Sequence, residues 1–299
     1  MKVLCVADLH LRHDRPICRL DEDWLESQRT DLSNIDHIIF SEGIEEVWLL
    51  GDVFHRPVEP PEVVNMALEE MSNWKVKAIR AICGNHDLAY HSIENFDASS
   101  IATLFKSGLV KPFEEHWDAG TNIAAYNFGT EKEVEDDGAE IVLTHQLVFP
   151  DENSRGLAGG KIPSDIKKQF PNAKLVLMGD YHDGWNTDCD GQKQVMVGCM
   201  NVQSGKLATY NPRVAIIDTD HLDTCSFKYL PQGHATITTE HLVESKERDK
   251  RLEACVDSLS NMKSCEFDFI GNLKKLASAN NKVSGVLDEM IEALNKNEV

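Results

Sequence analysis

Short apolar runs recur along the chain, and several of them stop at the same kinds of polar residue. The runs over 2–7, 46–51 (Glu46-Val47-Trp48-Leu49-Leu50-Gly51) and 77–83 (Lys77-Ala78-Ile79-Arg80-Ala81-Ile82-Cys83) read as strands. Between them the spacing lengthens to a helical period near 27–43 and 61–74, where Pro60 and Pro61 suit a helix start. Further strands are expected at 121–126, 140–144, 174–179, 194–199 and 213–219. Repeated strand, helix, strand predicts an α/β architecture. The later strands follow one another with less helix between them, which suggests a second sheet stacked on the first.

From about 232 the character changes. Residues 239–259 are charge-rich and helical in pattern. Val283, Val286, Leu287, Met290, Ile291 and Leu294 share one face of an amphipathic helix. Such a face packs on its own domain or docks a partner. The expected organisation is therefore a main α/β domain over 1–231 and a small, mainly helical segment over 232–299.

Composition adds one surprise. The 299 residues are 41% hydrophobic and 27% charged, ordinary for a globular chain, but 30 basic against 50 acidic side chains leave −20. A protein that coats nucleic acid or anionic membrane alone needs a basic footprint, so both are disfavoured. Nine acids against one Lys lie within 114–140, read as exposed strand and loop. No apolar run approaches the roughly 18 residues of a membrane span. The first run is broken at once by Asp8 and His10, too early for a signal-peptide core, so a cytoplasmic location is expected. The eight cysteines form no C-x-x-C pair and read as reduced, small apolar residues.

The chemistry collects at the C-terminal ends of the expected strands, where open α/β sheets bind ligands. Asp8-Leu9-His10 follows the first run, and Gly51-Asp52-Val53-Phe54-His55-Arg56 the second. Gly84-Asn85-His86-Asp87, Thr144-His145-Gln146 and Gly179-Asp180-Tyr181-His182 follow three more. Singly, each is an ordinary turn. Together, five strands deliver Asp, Asn or His to one edge. Hard oxygen donors mixed with imidazole suit manganese, iron or zinc rather than calcium. Two such ions bridged by a carboxylate form a clamp for in-line attack at phosphorus.

In their order and spacing these five motifs resemble the signature of the calcineurin-like metallophosphoesterases, over residues 1 to about 220. The resemblance implies a two-sheet β-sandwich flanked by helices, a four-layer α/β/β/α fold. It implies that Asp8, His10 and His182 hold one metal, that Asn85, His145 and Asp180 hold a second, and that Asp52 bridges both. His86 would face the scissile phosphate as general acid or charge stabiliser, with Asp87 orienting it and a metal-activated hydroxide as nucleophile. Asp180 departs from the family pattern, which places His there; the extra charge favours manganese or magnesium over softer ions, with iron or zinc also compatible with the set. Gly51-Asp52-Val53-Phe54-His55-Arg56-Pro57 is similar to the SbcD-type nuclease subunit of double-strand-break repair, particularly its bacteriophage versions. That branch implies DNA as substrate, His55 near the phosphate or base, an SbcC-like coiled-coil ATPase as partner, a homodimer, and the host cytoplasm if the source is viral. A phosphomonoesterase or small-molecule phosphodiesterase would use the same metals, and a scaffold with a vestigial site is the non-enzymatic reading. Arg12, His13 and Arg15 could touch phosphate, and Tyr181 or Trp185 could stack on a base. His37, His91, His116, His221, His234 and His241 match no motif, and Gly156–Lys161 lacks the strand and spacing of a phosphate loop.

Overall fold

The fold was read from a computed structural model, which describes residues 1–113, 117–118, 122–130, 138–157, 159–231, 237–243, 271 and 275. Contacts divide the chain into Met1–His241 and Leu242–Val299. The sheets and the candidate site lie in the first unit. Residues 237 and 238 belong with it, because Ile237 bridges Arg19 and the Thr238 N–H donates to the Cys18 carbonyl. The amphipathic pattern at 283–294 lies outside the described residues.

Twelve described strands form two six-stranded sheets. In the first, β1 (Lys2–Val6), β2 (Glu46–Leu50), β3 (Ala78–Ile82) and β4 (Val110–Pro112) are parallel. β11 (Arg213–Asp218) and β12 (His221–Tyr229) extend it antiparallel beyond β1. The second sheet runs β5 (Trp117–Asp118), β6 (Asn122–Tyr126), β7 (Ile141–His145), β8 (Leu175–Gly179), β10 (Gln192–Met196), β9 (Trp185–Cys189). Helices α1 (Trp24–Glu42), α2 (Pro61–Asn73) and α3 (Ser100–Lys106) cover the first sheet; α4 (Glu152–Arg155) and α5 (Pro163–Gln169) follow β7.

Alternation along the strands explains the layering. Val3, Cys5, Trp48, Leu50 and Ile82 meet Ile141, Leu143, Leu175 and Leu177 between the sheets. Their neighbours Leu4, Val6, Val47, Leu49 and Ile79 turn the other way, onto Leu32 and Ile35 of α1 and Val63 and Met66 of α2. Val142, Val176 and Met178 turn out of the second sheet onto Ile166 and Phe170. Strands buried on both faces read as unbroken apolar runs, which is why the central ones stood out in the sequence. The result is the expected four-layer α/β/β/α fold. Among the described residues no helix is long and apolar enough to cross a membrane.

A candidate two-metal centre at the strand ends

The parallel strands β1, β2, β3, β7 and β8 all end at one edge, and the five motifs meet there. The backbone at that edge is unusual. Asp8, His10, Asp52 and Asp180 take positive φ of 50°, 46°, 51° and 96°. Left-handed conformations at non-glycine residues cost on the order of 1–3 kcal/mol each and persist where surrounding structure enforces them. Here the enforcement is visible. The Asp8 N–H donates to the Gly51 carbonyl at 3.2 Å and the His10 N–H to the Asp52 carbonyl at 2.9 Å. The Asp180 N–H donates to both oxygens of Asp8, at 3.1 and 3.2 Å.

Asp52 stands at the centre and is 1% exposed. Its Oδ1 accepts the His86 N–H at 2.8 Å. Its Oδ2 is buried without a hydrogen-bond partner and lies 3.5 Å from His10 Nε2 and 3.4 Å from His145 Nε2. His10 Nε2 is also 2.9 Å from His182 Nε2, and His145 Nε2 is 3.1 Å from Asn85 Oδ1. The tautomer of a neutral His145 is fixed, because its Nδ1 donates to the Leu50 carbonyl at 2.7 Å and leaves Nε2 with a lone pair facing Asp52. Among the described residues, three groups of side chains offer ligand atoms within 4.8 Å of one another: Asp8, His10, His182; Asp8, Asp52, His145; and His10, His55, His86.

The electrostatics ask for a cation. Burial, with the Asp52 and Asp180 charges, pushes the Asp8 carboxyl well above its usual range. Burial opposes ionisation of Asp52 as well, but His145 and His10 beside it hold it far below the usual range. Burial holds His10 well down and His182 at about 4, so both rings keep a lone pair. The His145 ring is raised, since the Asp52, Asp8 and Asp180 charges outweigh its burial. Opposed shifts in one water-poor cluster, around an orphaned carboxylate oxygen, fit a bound divalent ion. Buried Cys83 and Cys199 are held protonated by their burial, so the donors that face the centre are carboxylate, carboxamide and imidazole. Glycine makes the crowding feasible. A Cβ on Gly84 would collide with Asp52 Oδ1, and one on Gly51, whose φ is 91°, with the His145 ring.

His86 and His55 flank this centre. The His86 Nδ1 donates to the His55 carbonyl at 2.8 Å, which turns Nε2 away from that contact. The two rings stack with centroids 5.2 Å apart, and His55 Nδ1 lies 3.4 Å from His10 Nδ1. Burial, aided by the Arg12, His86 and Arg56 charges, lowers the His55 ring to about 4. Asp87 differs from expectation. Its buried carboxylate accepts from the backbone N–H groups of Val53, Phe54 and Gly84, at 3.3, 3.0 and 2.9 Å. It therefore clamps the loops after β2 and β3 together, and the His55 carbonyl, rather than Asp87, orients the His86 ring. Asp180 reaches the centre through its main chain and its charge; its carboxylate is outside the three convergent groups.

The remaining sequence candidates fall as follows. Trp185 donates to the Val148 carbonyl at 3.0 Å, and Tyr181 packs edge-on to Phe149. Both are held locally. His13 pairs with Glu62, and Arg15 donates to the Asp21 carbonyl. His91, which belongs to no motif, donates from Nδ1 to the carbonyl of Asn85 at 2.8 Å and so braces that residue. Its only sequence signal was nearness to Gly84-Asn85-His86-Asp87.

Comparison with protein families agrees with this geometry. The calcineurin-like phosphoesterase family pattern matches residues 1–184. No curated protein is similar enough in sequence to match. Among solved structures, a novel archaeal phosphodiesterase is similar at 15% identity and a TM-score of 0.43, covering 77% of this chain and 100% of its own. The protein TT1561 of Thermus thermophilus is similar at 11% identity and a TM-score of 0.47, over 77% of this chain and 99% of its own. The hypothetical protein PH1004 of Pyrococcus horikoshii is similar at 12% identity and a TM-score of 0.44, over 83% of this chain and 93% of its own. With its strand-end His/Asp cluster and a family pattern spanning more than half its length, the chain belongs to the calcineurin-like phosphoesterases, metal-dependent phosphoester hydrolases.

Proposed function

We propose that this chain hydrolyses phosphodiester bonds of DNA with two divalent ions, manganese foremost, as the nuclease subunit of an SbcCD-like recombination or repair complex. The observation that carries the reading is the orphaned Asp52 Oδ2, set between His10 Nε2 at 3.5 Å and His145 Nε2 at 3.4 Å. A carboxylate with an imidazole on either side can bridge two ions, each also held by one ring. Asp8, His10 and His182 would hold one ion, Asn85, His145 and Asp180 the other, and Asp52 both. When bound, the ions supply Lewis acidity toward phosphoryl oxygens and acidify water.

The chain's own residues do the rest. His86, with Nδ1 committed to the His55 carbonyl, presents Nε2 to hold or deliver a proton at the leaving oxygen. His55, stacked on His86, lines the approach to the phosphate. Asp87 fixes the loop spacing on which both depend. The segment beyond 231 is proposed to dock a coiled-coil ATPase, and a homodimer and a cytoplasmic location complete the reading.

The choice among phosphoester classes is tested with the manganese-loaded protein on a bis-aryl phosphodiester and an aryl phosphomonoester. A higher kcat/KM on the diester is expected. Faster monoester turnover would overturn the proposal in favour of a phosphomonoesterase.

A further inference from the structure

Beyond the ligands, the loops leaving β1 and β2 run side by side. The Leu11 N–H donates to the Val53 carbonyl at 2.9 Å, the His55 N–H donates to the Leu11 carbonyl at 3.0 Å, and Leu11 bridges Phe54 in parallel register. That register brings Arg12, two residues past His10, beside Arg56, one residue past His55. Asp14 joins them: one carboxylate oxygen takes the Arg12 guanidinium, and the other lies 3.0 Å from Arg56 Nη2.

Two cations thus share one anion at the mouth of the centre. Glu59 lies nearby but is withdrawn into the fold, being 4% exposed with its Oε2 accepting the His13 N–H at 3.4 Å. Arg12 is fixed from behind. Its N–H donates to Gln28 Oε1 and its carbonyl accepts Gln28 Nε2, both at 2.8 Å. The Arg12 side chain is 12% exposed and that of Arg56 is 55% exposed. A guanidinium held against Asp14 beside an accessible one, in a chain of net charge −20, is an arrangement for an incoming anion.

We propose that Arg12 and Arg56 form an anion subsite for the phosphate adjacent to the scissile one, which selects polynucleotide over an isolated phosphodiester. The inference rests on the phosphodiesterase reading above. It names the substrate feature that the metal centre alone would not distinguish.

The test compares the dinucleotide TpT with its phosphorylated forms pTpT and TpTp. The selectivity ratio is read as KM by turnover with manganese, and as Kd by calorimetry on the metal-loaded His86→Ala protein. One phosphorylated form should bind roughly tenfold more tightly than TpT, as a charge-assisted phosphate contact would give. Arg56→Gln should bring that ratio close to one. Asp14→Asn, which releases the pair, should widen it. Equal Kd values in the parent, or a ratio that survives Arg56→Gln, would overturn the subsite. A preserved Kd ratio with no turnover of any dinucleotide would support the subsite and overturn only the phosphodiesterase reading.

Discussion

At the scale of single residues, Asp52 and His86 separate assembly from chemistry. Asp52 lies between two imidazoles and has an unpartnered oxygen, so Asp52→Asn should abolish tight manganese binding as measured by calorimetry. His86 offers the centre its main-chain N–H, which any residue but proline supplies, while its ring is held by the His55 carbonyl. His86→Ala should therefore keep metal stoichiometry and lose turnover by about 10²–10⁴, the usual contribution of an acid–base side chain. Loss of metal in that variant would refute the assignment. A third residue tests the packing around the site. Asp31 on α1 is 6% exposed, and burial raises it from 3.8 to about 7 despite Arg19 and a hydrogen bond with Asn201. Between roughly pH 4 and 7 the folded chain keeps a proton that the unfolded chain has lost, so this residue's contribution to stability falls as pH rises through that window. Asp31→Asn should raise the melting temperature at about pH 8 and change it little near pH 4. An equal shift at both pH values would contradict the buried-acid account.

At the scale of elements, the site depends on loops held close by glycine. A methyl at position 84 meets both the Asp52 side chain and its main-chain N. Gly84→Ala should cost about 1–3 kcal/mol, by analogy with overpacked cores, and weaken metal binding in the same protein. Unchanged melting and metal affinity would count against the cradle. The central strands were legible because each is a continuous apolar run ended by a chemically distinctive residue. The edges were not. β9 and β12 alternate polar and apolar positions and lie at sheet margins, where one face meets solvent. The β9–β10 hairpin did carry a signal, since Asp190-Gly191, with φ of 51° and 76°, is a two-residue turn pair of the favoured kind. Asp87 shows the limit of motif reading. Its position in Gly84-Asn85-His86-Asp87 was plain, but its clamp on Val53 and Phe54 depends on two loops far apart in sequence meeting in space. The Arg12–Asp14–Arg56 cluster was hidden for the same reason.

At the scale of the whole molecule, net charge is the property that most constrains the proposed substrate. A chain at −20 repels DNA, and two divalent ions offset only a small part of that. Binding should thus be weak without metal, strengthened by manganese, and raised further by an ATPase partner. A filter-binding titration at fixed salt checks this, and tight, metal-free, partner-free binding would contradict it. The most direct test of the central claim is digestion of end-labelled duplex DNA by chelator-stripped protein reloaded with manganese, assayed beside an aryl phosphomonoester. DNA cleavage should appear with manganese and be lost with chelator, His86→Ala or Asp52→Asn, while the monoester turns over poorly. Intact DNA beside rapid monoester hydrolysis would contradict the nuclease reading.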